Sequence, residues 1–291
     1  MKFAVSTYSL WSLVSSGALT EKELPAKAAE LGFEGIEFAE IHPEEGMDKT
    51  EYAKELRKEC ERVGVIPVQY SIGADLLNGS QGDFQKEVDR LKSEVDVAVA
   101  LGVKGMRHDA TSGYTGEKSK YMGFENALPV IVAGYRAVSE YAKDKGIKIM
   151  IENHGFFCQD STRVERIIQG VSHENFGALV DIGNFLCVDE DPVTAVSRVA
   201  PFALYVHAKD FHIKSGSELK PCDGFFATRG GNFLRGAILG HGNVPVMQTL
   251  SILKNAGYDG FITLEFEGCE NAETGCKWGL NTLKSICENL V

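Results

Sequence analysis

Five times in this chain a helix-period segment meets a glycine and passes directly into an apolar run: Leu31-Gly32-Phe33, Val63-Gly64-Val65, Leu101-Gly102-Val103, Lys145-Gly146-Ile147 and Ala256-Gly257-Tyr258. Glycine takes the left-handed conformation that ends a helix without a Cβ penalty. A repeated helix-to-strand joint of this kind builds αβ units, whose strands run parallel and whose crossovers are right-handed. Apolar, β-branched runs place eight strands near 2–8, 34–38, 65–70, 103–107, 147–152, 177–181, 202–207 and 260–265. Between them, Leu24, Ala28 and Leu31, then Val88, Leu91, Val95, Ala98 and Leu101, then Val246, Leu250 and Leu253, recur at helical spacing. Eight such units predict an α/β chain forming a single (β/α)8 TIM barrel. An open doubly wound sheet is the alternative, but no GxGxxG follows the first strand.

The 291 residues and 44% hydrophobic content suit one large barrel core. No linker or low-complexity stretch divides 1–291, so one domain is expected. Its rhythm breaks at 213–243, where Lys214-Ser215-Gly216-Ser217, Pro221-Cys222-Asp223-Gly224, Arg229-Gly230-Gly231 and Gly240-His241-Gly242 read as a long loop after the seventh strand. Long loops on compact barrels tend to carry function. The net charge of −11 argues against nucleic acid as a partner. Seven cysteines without a CxxC pair suggest free thiols and a cytoplasmic setting. Met1 to Ser6 reads as a strand rather than a cleavable signal, and no stretch approaches a membrane span.

Four of the predicted strands end on a metal-ligand residue type: Ile147 to Glu152, Gly177 to Asp181, Phe202 to His207 and Gly260 to Glu265. Side chains of a barrel strand alternate between the interior and the helix layer. Met150, Glu152 and His154 share one parity, as do Tyr205, His207 and Lys209, and Thr263 and Glu265. Pointing inward, the four converge at the C-terminal mouth, where barrels of this type carry their sites. Each carboxylate alone is better read as a helix cap or surface ion pair. Three together need a compensating cation, and an oxygen-rich set with one His suits one divalent ion, Mn²⁺ first, with Mg²⁺, Co²⁺ or Zn²⁺ compatible.

With Glu152 in Ile-Glu-Asn-His, Asp181 in Val-Asp-Ile-Gly-Asn, His207 in Val-His-Ala-Lys-Asp and Glu265 in Thr-Leu-Glu, followed by the Gly240-x-Gly242 and Gly257-Tyr258-Asp259-Gly260 turns, the chain resembles the xylose isomerase-like superfamily over essentially its whole length. More narrowly it resembles the sugar phosphate isomerase/epimerase group, which includes ketose 3-epimerases, hydroxypyruvate isomerase, inosose dehydratase and endonuclease IV. The resemblance implies that the four residues ligate one metal and that Glu152 and Glu265 are also the catalytic acid/base pair. It implies a carbohydrate substrate, a keto-sugar or sugar phosphate, isomerised or epimerised by proton transfer through a metal-stabilised enediolate. A lyase that dehydrates or otherwise eliminates from the same enediolate is the alternative reading, and an endonuclease IV-like phosphodiesterase a more distant one. No membrane partner is expected, and a homo-oligomer is compatible with the sequence.

Further residues are read as substrate contacts. His154, His108 and Lys209 lie near strand ends; each also has a packing or capping reading. Asn184 stands where several members of the resembled group have His, leaving it to bind a hydroxyl. Arg229 and Arg235, on the long loop, would clamp a phosphate or carboxylate; an ordinary surface Arg is the competing reading. Asp210 is expected to orient His207 or pair with Lys209. His212 is either a ligand or a loop residue. Tyr8 and Trp11 near the end of the first strand are candidates for an apolar wall, and Glu37 lies near the end of the second. Cys158, Cys187 and Cys269 follow strand ends but are read as inert.

Overall fold

The computed structural model describes residues 1–221 and 223–290. In chain order its strands are β1 (Lys2–Ser6), β2 (Gly35–Ala39), β3 (Ile66–Ile72), β4 (Gly105–His108), β5 (Lys148–Glu152), β6 (Phe176–Asp181), β7 (Ala203–Ala208), β8 (Asp210–Lys214), β9 (Phe226–Ala227), β10 (Phe233–Ala237) and β11 (Phe261–Leu264). Eight of them close into a parallel barrel in the order β1, β11, β7, β6, β5, β4, β3, β2. The expected (β/α)8 barrel is therefore present. All five glycines at the helix-to-strand joints adopt positive φ, from 71° at Gly146 to 96° at Gly257.

Two expectations are corrected. The first strand stops at Ser6, not residue 8, because the Ser6 hydroxyl accepts from the Tyr8 backbone N–H and caps a helix over Thr7–Ser15. This moves Tyr8 and Trp11 onto a helix that starts at the barrel mouth. The second correction concerns 213–243. With the preceding residues it forms a three-stranded antiparallel sheet, β8–β10–β9, in which Leu234 is paired with Ile213 and Arg235 with His212. Its Gly- and Pro-rich connections conceal strands that pair with each other rather than with the barrel. Cys222 lies outside the described residues; the other six cysteines are free thiols. Among the described residues no helix is long and apolar enough to cross a membrane.

The alternation of strand side chains divides the core. Val5, Ile36, Phe38, Ile149, Ile151, Val180, Val206, Ile262 and Leu264 are buried in one large cluster shared with the surrounding helices. Burial of each such side chain contributes about 1.5–3 kcal/mol. The opposite parity fills the barrel itself. Met150, Leu179 and Tyr205 form a small apolar plug, and the Tyr205 hydroxyl meets the Thr263 hydroxyl at 2.5 Å. Glu152, Asp181 and His207 are each two residues further along the same strands, and Glu265 two beyond Thr263, so the polar layer stands directly above a closed floor.

Candidate metal centre

Glu152, Asp181, His207 and Glu265 each offer a ligand atom, and these atoms lie within 4.8 Å of one another. His207 Nδ1 is 3.7 Å from Glu152 Oε1, 3.9 Å from Asp181 Oδ2 and 3.6 Å from Glu265 Oε2. Donors about 2.0–2.2 Å from a shared ion stand at such separations. His207 Nδ1 and Asp181 Oδ2 are buried and have no hydrogen-bond partner. Buried polar atoms are ordinarily paired; two orphans facing each other, in an oxygen-and-imidazole set, fit a divalent cation.

Every ligand has a second contact that holds it. His207 Nε2 meets Glu37 Oε2 at 2.6 Å. Asp181 Oδ1 accepts from the backbone N–H groups of Gly183 and Asn184 at 2.7 and 2.8 Å, which turns Oδ2 toward His207. That tight turn needs Gly183, since a Cβ there would sit 2.8 Å from the Lys209 carbonyl oxygen. Arg107 Nε lies 2.5 Å from Glu152 Oε2, and Asn184 Nδ2 donates to Glu152 Oε1 at 3.0 Å. Lys209 Nζ lies 2.5 Å from Glu265 Oε2 and 3.0 Å from Glu267 Oε1.

The electrostatics show a cluster short of positive charge. Burial would raise Glu152, but Arg107 and His207 hold it down at about 2. Glu265 is likewise raised by burial, and Lys209 and His207 bring it well below the usual carboxylate range. Asp181 goes the other way. Burial pushes it up to about 7, against the pull of Lys209 and with Glu265 and Glu152 adding to the rise. Burial pulls His207 down, yet Glu37 and Glu265 leave its imidazole well above its ordinary value. One carboxylate too many for the available cations is the condition a bound ion relieves.

A cavity of about 470 Å³ opens above this layer. Glu37, Arg107, Glu152, His207, Lys209 and Glu265 reach its floor, and Tyr8, Trp11 and Ile72 give it apolar walls. The Trp11 and His42 rings lie 4.7 Å apart at its rim. His154 is also in the lining, half-exposed, with Nδ1 2.8 Å from Asp109 Oδ1.

Several sequence expectations find different surroundings. His108 does not reach the cavity: it is fully buried, stacks on Tyr135 of the helix Phe124–Lys143 at 4.3 Å, and burial lowers its pKa to about 4. It has the parity of the helix layer, whereas Arg107 has that of the interior. Arg229 pairs with Asp160 at 3.1 Å, and Arg235 packs over Phe225, with Glu270 4.0 Å away; neither lines the cavity. Asp210 accepts from the backbone N–H groups of Phe211, Gly240, Gly242 and Val244, so it anchors the 240–244 turn and bonds neither His207 nor Lys209. Asn184 holds Glu152 and Asp181 instead of facing an open cavity. Lys209 is in the lining but is occupied by carboxylates. His212 lies in the antiparallel sheet opposite Arg235. Burial pushes the Cys158 and Cys187 thiols up to about 12, as expected of inert cysteines. The supporting roles of Glu37 and Arg107 went unread. Inward parity on β2 and β4 was their only signal.

Comparison with known proteins adds a family and several relatives. A family model described as xylose isomerase-like TIM barrel matches residues 25–286. An inosose dehydratase of Bacillus anthracis is 24% identical over 174 residues, 59% of this chain and 57% of that protein. The chain thus spans little more than half the length of this curated relative. The IOLI protein with a bound zinc atom superposes with a TM-score of 0.75 at 16% identity, covering 100% of this chain and 99% of the other. L-ribulose 3-epimerase superposes with a TM-score of 0.72 at 16% identity, covering 99% and 95%. At these identities the two structures show the fold alone.

Proposed function

Because this chain belongs to the family of xylose isomerase-like TIM barrels, we propose that it is a divalent-metal-dependent isomerase or epimerase of an uncharged keto-sugar. The observation that carries the reading is the pair of buried, unpartnered atoms, His207 Nδ1 and Asp181 Oδ2, within ligand distance of Glu152 and Glu265. An ion held by these four residues supplies Lewis acidity to a substrate carbonyl and an adjacent hydroxyl. The zinc atom of the IOLI protein supports the ligand chemistry and leaves the choice among Mn²⁺, Mg²⁺, Co²⁺ and Zn²⁺ to the test.

The chain's own residues then do the proton work. Glu152 and Glu265 are both kept ionised, by Arg107 and Lys209 respectively, so either can accept a proton from the carbon beside the carbonyl. For an epimerase the second carboxylate, after taking up a proton from solvent, delivers it to the other face; for an isomerase the first passes the proton it removed to the neighbouring carbon. Tyr8, Trp11 and Ile72 offer a dry wall against which an apolar sugar face can rest. The absence of charge on the substrate follows from the lining. Arg107 is engaged by Glu152 and Asp109, and Lys209 by Glu265 and Glu267, while Arg229 and Arg235 lie off the cavity. A phosphate would meet Glu37, Glu40 and Glu267 instead of a free cation. The same lining speaks against a nucleic-acid phosphodiester.

A second reading is a dehydratase, favoured by the match to an inosose dehydratase. It shares the first step, proton removal beside a carbonyl, and then expels a hydroxyl from the next carbon as water. Incubation in deuterated water with ketoses, keto-inositols and keto-glycosides, read by mass spectrometry, tests both. A product one mass unit heavier supports isomerisation or epimerisation; loss of one water supports the dehydratase. No deuterium uptake and no mass loss across the panel with metal-loaded protein would refute the shared step.

A further inference from the structure

We infer that Glu37 is a positioning residue for the metal ligand His207, fixing the imidazole so that Nδ1 presents its lone pair to the ion. The inference rests on the metal reading above and extends it to a residue on the far side of the barrel. Glu37 is on β2 and His207 on β7, with β1 and β11 between them in the sheet. The two side chains meet across the barrel interior, 170 residues apart in the chain, at 2.6 Å. A carboxylate at Nε2 makes that nitrogen the N–H donor, and the remaining nitrogen, Nδ1, is the one facing Glu152, Asp181 and Glu265.

Glu37 reaches the floor of the cavity, but its hydrogen bonding is spent on His207. It is fully buried, and His207 is its only hydrogen-bond partner among the described residues. Its other oxygen, Oε1, has none. Its neighbours in register on β1 and β3, Ser6 and Gln69, do not bond it. A carboxylate placed out of water with one oxygen unanswered costs several kcal/mol. A well-packed apolar pair in place of both Glu37 and His207 would serve stability as well or better. The contact with His207 is what the carboxylate accomplishes there. Without it the ring is free to rotate or to carry its proton on Nδ1, and either change removes one donor from the ion. With it the ring is oriented, and the partial negative charge passed through the imidazole strengthens Nδ1 as a donor.

The test uses Co²⁺ as the probe, titrated into metal-free full-length protein and followed by calorimetry and by the visible d–d absorption of the bound ion. Wild-type protein is expected to bind one Co²⁺ at this site. Glu37→Ala is expected to weaken binding about 10–100-fold and to change the d–d band, as loss of an outer partner of a ligating His does. Glu37→Gln keeps an acceptor for Nε2–H but not the charge, so its affinity should fall between the two. Metal-free Glu37→Gln should melt close to the wild-type temperature, because the amide keeps the volume and an oxygen that accepts from Nε2–H. Co²⁺ affinity and spectrum in Glu37→Ala matching wild type would overturn the inference. So would a metal-free Glu37→Gln that melts lower in step with its loss of affinity, since that would make Glu37 a structural residue. If wild-type protein itself takes up no Co²⁺, the metal reading fails and this inference falls with it; wild-type binding with an unaffected variant defeats the inference alone.

Discussion

Asp75 and Asp181 are the same residue in opposite circumstances. Asp75, in the loop after β3, is fully answered by the protein. Its Oδ1 accepts from the N–H groups of Leu77 and Asn78 and from the Thr111 hydroxyl; its Oδ2 accepts from Asn78 Nδ2, Ser112 N and the Ser112 hydroxyl. Burial would raise its pKa, but these donors hold it down at about 2. Asp181, at the end of β6, has one oxygen tied to two backbone amides and the other without a hydrogen bond, with Lys209 Nζ 3.6 Å and His207 Nδ1 3.9 Å away, and burial pushes it up to about 7. The difference separates a carboxylate that staples a loop from one awaiting an external charge. An acidic residue after a strand has no functional meaning until its second oxygen is accounted for.

The largest effect that sharpens this contrast lies beside Asp181. Glu152→Gln and Glu265→Gln should each lower turnover of the accepted substrate by about 10²–10⁴-fold, as loss of an acid/base group does. Steady-state rates with melting curves check this, and near-wild-type activity in either variant would contradict the role. Chelation should abolish solvent-deuterium exchange, and Mn²⁺ or Co²⁺ should restore it. A saturating ion at about 1,000 times its Kd should also add about 4 kcal/mol of stability, read as a rise in Tm on adding metal.

The two aspartates themselves supply the reciprocal pair. Asp181→Asn should lose most metal affinity while changing metal-free stability little, because the carboxylate makes no side-chain hydrogen bond and Lys209 keeps Glu265 and Glu267 as partners. Asp75→Asn should leave metal affinity unchanged and cost about 1–3 kcal/mol, because donors that met a carboxylate oxygen now face an NH₂. Denaturant melts and metal titrations of both variants would break the comparison if the two losses came out the same way round.

A smaller effect follows from pH. With a folded pKa of about 2 against an ordinary 3.8, Asp75 contributes stability that is fully present above the unfolded value and is lost as pH falls through the folded one. Allowing for its partial exposure, about 1–2 kcal/mol should disappear between roughly pH 4 and pH 2. Acid melts should show this loss in wild type and not in Asp75→Asn. Least of all, Arg229→Ala and Arg235→Ala should change KM by less than about twofold, since ordinary surface substitutions matter little. A tenfold rise in KM would return them to the substrate site.

Much of this was legible along the chain. The barrel could be read because its αβ joints repeat a local signal, glycine between a helix and a strand, that needs no tertiary partner. The four candidate ligands could be read because each lies at or beside the end of its own strand with the inward parity. Their supports could not. Glu37 meets His207 over 170 residues of sequence, once the barrel closes, and Arg107 meets Glu152 once β4 pairs with β5. His108 misled because its neighbour Arg107 has the interior parity and His108 the opposite one. Arg229 and Arg235 misled because the glycines around them read as a long loop after the seventh strand, where pairing of β8 with β10 instead forms a small antiparallel sheet.

The central claim is that one divalent ion is held by Glu152, Asp181, His207 and Glu265. Anomalous diffraction from crystals grown with Mn²⁺ tests it most directly. The account predicts a single strong peak about 2.0–2.3 Å from His207 Nδ1 and from a carboxylate oxygen of each of the other three. A manganese peak elsewhere, with those four atoms left unligated, or no peak at saturating Mn²⁺, would contradict it.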